Sequence, residues 1–212
     1  DGVQQLFRDL GVQQIVSGGQ TMNPSTEDIL HAAEQVPAMD VYVLPNNKNI
    51  VMAAEQAARL ARTSGVRRIH VVPTTTIPQG ISAMMAYDES AEIKDNVEAM
   101  QEATSRVQSG SVTFAARDSD YDGHQIKEGE LLALENGKVA FTGTDLGSVT
   151  AKVAKDLMRE DSQFITLLYG AGVSEEQAAD VEEAVRSLLP EEVELTVAYG
   201  GQPVYYFLIS VE

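Results

Sequence analysis

The chain has 212 residues, no cysteine and a formal net charge of −17. A chain of this length can bury one large core or two small ones, and the lack of cysteine excludes disulfides and thiolate metal sites. The acidic excess argues against nucleic acid as a partner, because phosphate contacts need a basic face. No apolar run approaches the ~18 residues of a membrane span, so we expect no transmembrane segment. The compartment that we expect is the cytoplasm.

The acidic side chains are concentrated in the second half of the chain. Residues 1–110 carry 13 acidic and 8 basic side chains, whereas residues 111–212 carry 19 and 7. The net charges of the two halves are therefore −5 and −12. Such an imbalance either serves solubility or provides an acidic face that steers a basic protein partner.

The first half alternates predicted strands and helices. One helix is expected to start near Ser25, another to end at Gly65, and a third to start around Ile77. The predicted strands are residues 13–18, 40–45 and 67–73. Strands separated by helices favour parallel pairing. We therefore predict an N-terminal α/β subdomain over 1–110, a parallel sheet with flanking helices that ends in an amphipathic helix within 90–110.

The second half has a different pattern. Asn136-Gly137 between two apolar runs is a strong hairpin signal. A helix is expected at about 146–159 and another near Ser174, with strands around them at 111–117, 163–170, 192–201 and the C-terminus. This pattern predicts a second α/β subdomain over 111–212, with a mixed sheet, helices, a β-hairpin and an acidic surface.

The loops that follow the first three predicted strands are rich in neutral hydrogen-bonding side chains. In open α/β folds such loops meet at the carboxyl edge of the sheet, where ligands bind, and helix N-termini there suit an anion. The same side chains also cap helices and satisfy loop backbone. Both roles stay open for Thr21, Asn23, Ser25, Asn46, Asn47, Asn49, Thr74, Thr75, Thr76 and Gln79.

One acidic segment begins like a calcium-binding loop. Asp118, Asp120 and Asp122 alternate before Gly123, but the twelfth position, which needs a bidentate glutamate, is Gly129. The flanking residues favour strand and turn over two helices. A solvated acidic turn is therefore the preferred interpretation. A metal-dependent hydrolase built on this cluster is a less favoured functional hypothesis.

Catalytic motifs are missing from the sequence. The three histidines lack metal-ligand spacing, and no nucleophile elbow, phosphate-binding loop or dinucleotide fingerprint occurs. His70 within a predicted strand is interpreted as a packed residue. We expect no catalytic residue, no metal ligand and no cofactor in this chain.

Four segments in order carry a resemblance: "GGQTMNPSTEDIL", "LPNNKNIVMAAEQAA", "TTTIPQGISAM" and "GGQPVYYFLISVE". In these four segments the chain resembles the C-terminal domain of the catalytic subunit of bacterial fatty acid kinase, in the dihydroxyacetone-kinase-like family. The resemblance implies an excised domain, with ATP and magnesium bound by a missing N-terminal domain. It also implies a DegV-like (EDD) fold, similar to the fatty-acid-binding proteins that present the acyl chain to the kinase.

The DegV likeness can be followed motif by motif. Thr21-Met22-Asn23-Pro24-Ser25 follows the pattern of a Thr-Ser-Gln-Pro-Ser motif whose threonine helps hold the fatty acid carboxylate; Thr21 occupies that threonine's place, and Met22 and Asn23 differ from the motif. A Ser-Gly-Thr motif is replaced by Asn46-Asn47-Lys48-Asn49. A His-Thr-Gly-Pro-Gly motif is replaced by the segment 199–203, so the ligand-facing histidine is absent. Gln202 in this segment is the last of our candidate residues for binding a ligand or partner at the carboxyl edge.

The resemblance thus implies a non-catalytic module that docks an acyl-loaded, DegV-like carrier with a basic surface. The parent enzyme would then make acyl phosphate. The alternative is a fatty-acid-binding or small-molecule-binding domain with its own pocket at the carboxyl edge, in which Thr21 matters.

Overall fold

The computed structural model describes residues 2–18, 23–121 and 124–212, with only the backbone of His124 described. The chain divides into two compact units. The N-terminal unit is Gln4–Arg106, and the C-terminal unit is Val107–Glu212 together with Asp1–Val3. The division falls after Arg106 because the next strand, which starts at Gln108, pairs within the C-terminal unit.

The first half of the chain forms helices around a small parallel sheet. In chain order its elements are α1 (Gly2–Asp9), α2 (Thr26–Gln35), β1 (Asp40–Val43), α3 (Val51–Ser64), β2 (Arg68–Val71), α4 (Ile77–Met85) and α5 (Ile93–Arg106). β1 and β2 pair in parallel, with Asp40 opposite Arg68 and Val43 opposite Val71. The predicted parallel pairing of these two strands is confirmed.

Alanine lets α3 lie close to the sheet. Ala54, Ala57 and Ala61 are buried on one face of α3 and belong to a core cluster with Ile29 of α2 and Ile69 of β2. The helix ends at Gly65, which has a φ of 71° and whose N–H donates to the Ala61 carbonyl. This left-handed cap is the one that the sequence predicted.

The strand predicted over 13–18 is wrong. Residues 12–18 have no regular secondary structure. Gln13, Gln14 and Ser17 are exposed, and Ile15 and Val16 are only half-buried. Two half-buried apolar side chains between exposed polar residues do not define a buried face.

The second half of the chain forms a mixed sheet with two helices. Its elements are β3 (Gln108–Phe114), β4 (Ser119–Tyr121), β5 (His124–Ile126), β6 (Leu131–Glu135), β7 (Lys138–Gly143), α6 (Leu146–Leu157), β8 (Phe164–Tyr169), α7 (Glu175–Arg186), β9 (Glu194–Tyr199) and β10 (Phe207–Val211). The six-stranded sheet has the order β7-β6-β3-β10-β8-β9. Only the β8–β9 pair is parallel in this sheet.

The centre of this unit is strand β10. All five of its residues are buried, and it pairs antiparallel with both β3 and β8. The hairpin between β6 and β7 turns at Asn136 and Gly137, with φ of 48° and 79°, as the sequence predicted. Such positive φ values favour asparagine and glycine.

Residues 108–110 lie in β3 and not in the amphipathic helix predicted within 90–110. The helix α5 ends at Arg106, and Val107 is buried just beyond it. Across the described ranges, none of the helices is both long and apolar enough to cross a membrane.

Candidate functional site

The loops after β1 and β2 are joined by a pair of hydrogen bonds. The Asn46 N–H donates to Thr74 Oγ1 (3.0 Å), and the Thr74 hydroxyl donates to Asn46 Oδ1 (2.8 Å). Thr74 is fully buried, and Asn46 has a φ of 54°, a left-handed conformation that asparagine tolerates. Buried polar groups are costly unless they are paired, so these two residues fix the position of both loops.

The start of α4 closes against Asn46. A Cβ placed on Gly80 would lie 2.1 Å from Asn46 Oδ1, so only glycine fits beneath this side chain. Thr76 caps α4 by accepting from the Gln79 N–H (3.2 Å). Gln79 Oε1 in turn accepts from the Thr75 N–H (2.7 Å). These loop residues therefore have structural partners within the unit.

Two other helix starts in this unit differ in their capping. Ser25 forms a capping box with Asp28 at the start of α2, and the hydrogen bond from the Ser25 N–H lowers the pKa of Asp28. At the start of α3, Ile50 provides no side-chain cap, and Asn47 Oδ1 accepts from the Asn49 N–H (2.9 Å). Of these three helices, α3 is the one whose first N–H groups lack a side-chain acceptor within the described ranges.

Not all predicted site residues share this cluster. Thr21 lies outside the described residues. Asn23 is exposed, and the hydrogen bonds of Ser25 run to Asp28 and Ile29 of its own helix start. Since the strand predicted over 13–18 does not form, the expected meeting of three loops after three strands is corrected to two loops, those after β1 and β2. Ligand binding by any of these residues stays a prediction.

Gln202 belongs to the C-terminal unit, in the segment between β9 and β10. Its side chain is buried, and Nε2 donates to the Leu168 carbonyl (2.8 Å). Its Oε1 atom is buried with no hydrogen-bond partner among the described residues.

A charged cluster on the N-terminal unit was not predicted. The Arg68 guanidinium forms a bidentate ion pair with the Asp40 carboxylate, with Nε 2.8 Å from Oδ1 and Nη2 2.5 Å from Oδ2. His70 Nε2 also lies 2.8 Å from Asp40 Oδ1, and its ring is tilted against Tyr42. The signal was present in the sequence, since Arg68 and His70 share one face of a strand whose parallel neighbour starts at Asp40.

Asp40 is expected to make stability depend on pH. Hydrogen bonds from Arg68 and then His70 hold the pKa of Asp40 well below its usual value of 3.8. A lowered pKa in the folded state stabilises the protein above the unfolded pKa, and this contribution is lost as pH falls through the folded pKa. As the pH is lowered below about 5, we expect the free energy of unfolding of Asp40→Asn to decrease less steeply than that of the wild type.

Chemical denaturation at a series of pH values measures this slope. The control is Asp161→Asn, at an exposed position of the C-terminal unit, which should follow the wild type. Parallel curves for Asp40→Asn and the wild type would contradict the assignment.

The described residues of the acidic segment that resembled a calcium loop, 118–121 and 124–129, form strand and turn, as expected. Asp118 Oδ1 accepts from the Glu128 N–H (2.7 Å), and Asp120 lies in β4, which pairs with β5. Asp122 and Gly123 lie outside the described residues. In the described part of the chain, no three His, Cys, Asp or Glu side chains are grouped to hold a metal ion.

Structural comparison defines the class of fold. A DegV family protein from Ruminococcus gnavus aligns with a TM-score of 0.64 at 13% identity, over 99% of this chain and 84% of that one. Dihydroxyacetone kinase from C. freundii aligns at 0.65 and 16%, over 89% of this chain and 41% of that one. The Streptococcus pneumoniae fatty acid kinase B3 protein loaded with linoleic acid aligns at 0.61 and 14%, over 89% and 76%. The fold is therefore DegV-like, an α/β fold.

Sequence comparison defines the family. The family model for the C-terminal region of FakA-like fatty acid kinase proteins matches residues 1–212, and this chain belongs to that family. Protein SH1689 of Staphylococcus haemolyticus is 42% identical and protein YloV of Bacillus subtilis 39% identical, both over the whole chain. The chain spans only 38% and 37% of these two relatives. The family suggested by the four sequence segments is thus confirmed.

Proposed function

We propose that this chain is a non-catalytic module of a fatty acid kinase, which docks the acyl-loaded, DegV-like carrier so that the parent enzyme can phosphorylate the fatty acid. The family match and the likeness to a fatty acid kinase B3 protein support this assignment. ATP and magnesium would be held by other parts of the parent protein, and both proteins would act in the cytoplasm. The product would be an acyl phosphate for lipid synthesis.

The observation that carries the proposal is a region of the C-terminal unit in which nearly all charged side chains are acidic. Between the start of β8 and the end of β9 there are eight acidic side chains and one basic side chain. All eight acidic residues are exposed: Glu175, Glu176, Asp180, Glu182, Glu183, Glu191, Glu192 and Glu194. We call this set the α7–β9 acidic surface.

The basic residue of this region does not neutralise the surface. Arg186 Nη1 donates to the Val193 carbonyl (2.7 Å) and forms no ion pair with the described carboxylates. Arg186 and residues 191–194 line an open cleft of about 470 Å³. An exposed surface with net charge of one sign favours a partner of opposite charge and accelerates its association.

Salt dependence tests the proposal. The affinity of this chain for a fatty-acid-loaded DegV family protein, measured by isothermal titration calorimetry, should fall about tenfold or more between ~50 mM and ~500 mM NaCl. The reason is that the Debye length shortens below the spacing of the surface charges. Binding that is tight and insensitive to salt would contradict docking through the α7–β9 acidic surface.

A pocket of the chain's own is the second candidate function. The buried, unpaired Oε1 of Gln202 favours a small molecule that donates a hydrogen bond, because an orphaned buried acceptor is costly unless a ligand or water supplies a donor. A fatty acid pocket at the carboxyl edge of the N-terminal unit is a separate form of this alternative, and it predicts fatty acid in an organic extract of the purified protein and its loss in Thr21→Ala. A lipid-free extract would count against it.

A further inference from the structure

Strand β2 has one unpaired edge. Arg68 N donates to the Met39 carbonyl and Val72 N donates to the Val43 carbonyl, so the even-numbered residues face β1. Because successive residues of a strand alternate in direction, the N–H and C=O groups of Ile69 and Val71 face away from β1. Over the described ranges, β2 pairs with no second strand.

A groove of about 370 Å³ runs along this edge. The strand contributes Ile69, His70 and Val71, and α5 contributes Val97. The wall from α3 consists of one helix face, with Glu55, Ala58, Arg59 and Arg62. The groove thus combines unpaired backbone groups, apolar side chains, two guanidinium groups and one carboxylate, that of Glu55, so basic groups outnumber acidic ones. We call it the β2 groove.

The two arginines are not used by carboxylates of the unit. The Arg59 guanidinium donates only to the neutral Gln56 Oε1 (3.1 and 2.8 Å). Arg62 forms no hydrogen bond or ion pair with the rest of the described chain. Both guanidinium groups are therefore available to carboxylates from outside the chain.

We infer that the β2 groove binds an extended peptide segment that carries acidic side chains, which adds to the sheet as a third strand beside β2. The outward N–H and C=O groups of Ile69 and Val71 supply four main-chain hydrogen bonds, and this mode of recognition needs an exposed strand edge. Arginine forks match carboxylates, so charge complementarity selects acidic side chains on the incoming strand. Ala58 and Val97 leave room for small apolar side chains at alternate positions.

This site is independent of the proposed docking of a carrier. It lies wholly on the N-terminal unit, whereas the α7–β9 acidic surface lies on the C-terminal unit. The two surfaces also select partners of opposite charge. Failure of one proposal therefore leaves the other intact.

The test uses a fluorescein-labelled synthetic peptide, Thr-Val-Glu-Val-Glu-Val-Thr, and the isotopically labelled protein. On peptide binding, amide hydrogen exchange at Ile69 and Val71 should slow at least tenfold, while exchange at His70, whose N–H faces β1, should stay unchanged. In anisotropy titrations, Arg59→Ala/Arg62→Ala should weaken binding at least fivefold. The control Arg8→Ala/Lys48→Ala removes the same charge at positions of the unit that do not line the groove, and should have less than a twofold effect.

Peptide chemistry provides a second test of strand addition. Two N-methylated versions, one modified at odd and one at even positions, should differ at least tenfold in affinity, because only one set of N–H groups faces β2. Equal affinities of the two versions, or no change in exchange at Ile69 and Val71, would overturn the proposal. The arginines would then serve to prevent other strands from pairing with this edge. Protection that rises with protein concentration without peptide would instead assign the groove to a second copy of the chain.

Discussion

Charge reversal on the α7–β9 acidic surface is expected to weaken carrier binding about 100-fold at low salt. Glu182→Lys with Glu183→Lys, and Glu191→Lys with Glu192→Lys, should each cost about tenfold. A tenfold loss corresponds to ~1.4 kcal/mol, well within the several kcal/mol that opposed like charges cost. The affinity for a fatty-acid-loaded DegV family protein, measured by biolayer interferometry, checks this result, and most of the change should be in the association rate.

The variants are chosen so that the fold is retained. All four glutamates are exposed, and Glu182 and Glu183 lie in the last turns of α7, where cations interact favourably with the helix dipole. The control pair Glu34→Lys and Glu89→Lys makes the same change at exposed positions of the N-terminal unit. An equal loss of affinity in the control pair would show that net charge alone acts, and would remove the assignment to this surface.

Gly80→Ala is expected to lower the free energy of unfolding by about 1–3 kcal/mol, the usual cost of overpacking. Alanine in a helix interior normally gains ~1 kcal/mol over glycine, so the sign is opposite to helix propensity. The new Cβ would lie 2.1 Å from Oδ1 and 2.6 Å from Cγ of Asn46. The Asn46 side chain can avoid it only by giving up the hydrogen bond that Oδ1 accepts from the hydroxyl of the fully buried Thr74.

A double-mutant cycle isolates this contact. Asn46→Gly removes the obstructing side chain and places glycine at a φ of 54°, so Gly80→Ala should be neutral or stabilising in that background. Urea denaturation of the four proteins should give a coupling of about 1–3 kcal/mol. If Gly80→Ala stabilises the protein equally in both backgrounds, the packing of α4 against Asn46 is wrong.

Element ends with a local chemical cause could be predicted from sequence. The start of α2 at Ser25, the end of α3 at Gly65, the start of α7 at Ser174 and the Asn136-Gly137 turn are confirmed. In each case a side chain bonds its own backbone, or a residue that tolerates positive φ occupies the turn. Such signals need no knowledge of the rest of the fold.

Features that depend on distant residues could not be predicted in the same way. The run over 13–18 has β-branched residues but no ladder, and strand formation requires a partner. Residues 108–110 were included in the predicted helix, yet they pair with β10, and Gly110 also pairs with β6. Helix α1 has a strongly amphipathic sequence, but its eight residues fall short of a helix stable alone.

The candidate site shows the same division. Composition indicated the polar residues of the loops after β1 and β2, but not that Asn46 and Thr74 bond each other across 28 residues. That pairing depends on the left-handed backbone at Asn46 and on the parallel register. The β2 groove could not be predicted either, because it requires knowing that β2 is the edge strand.

Native mass spectrometry distinguishes docking of an acyl-loaded carrier from binding of the lipid by this chain itself. The purified chain is analysed alone and mixed with a fatty-acid-loaded DegV family protein at low salt. Docking predicts a lipid-free chain that forms a one-to-one complex with the loaded carrier. A chain that retains bound fatty acid and forms no complex would contradict it.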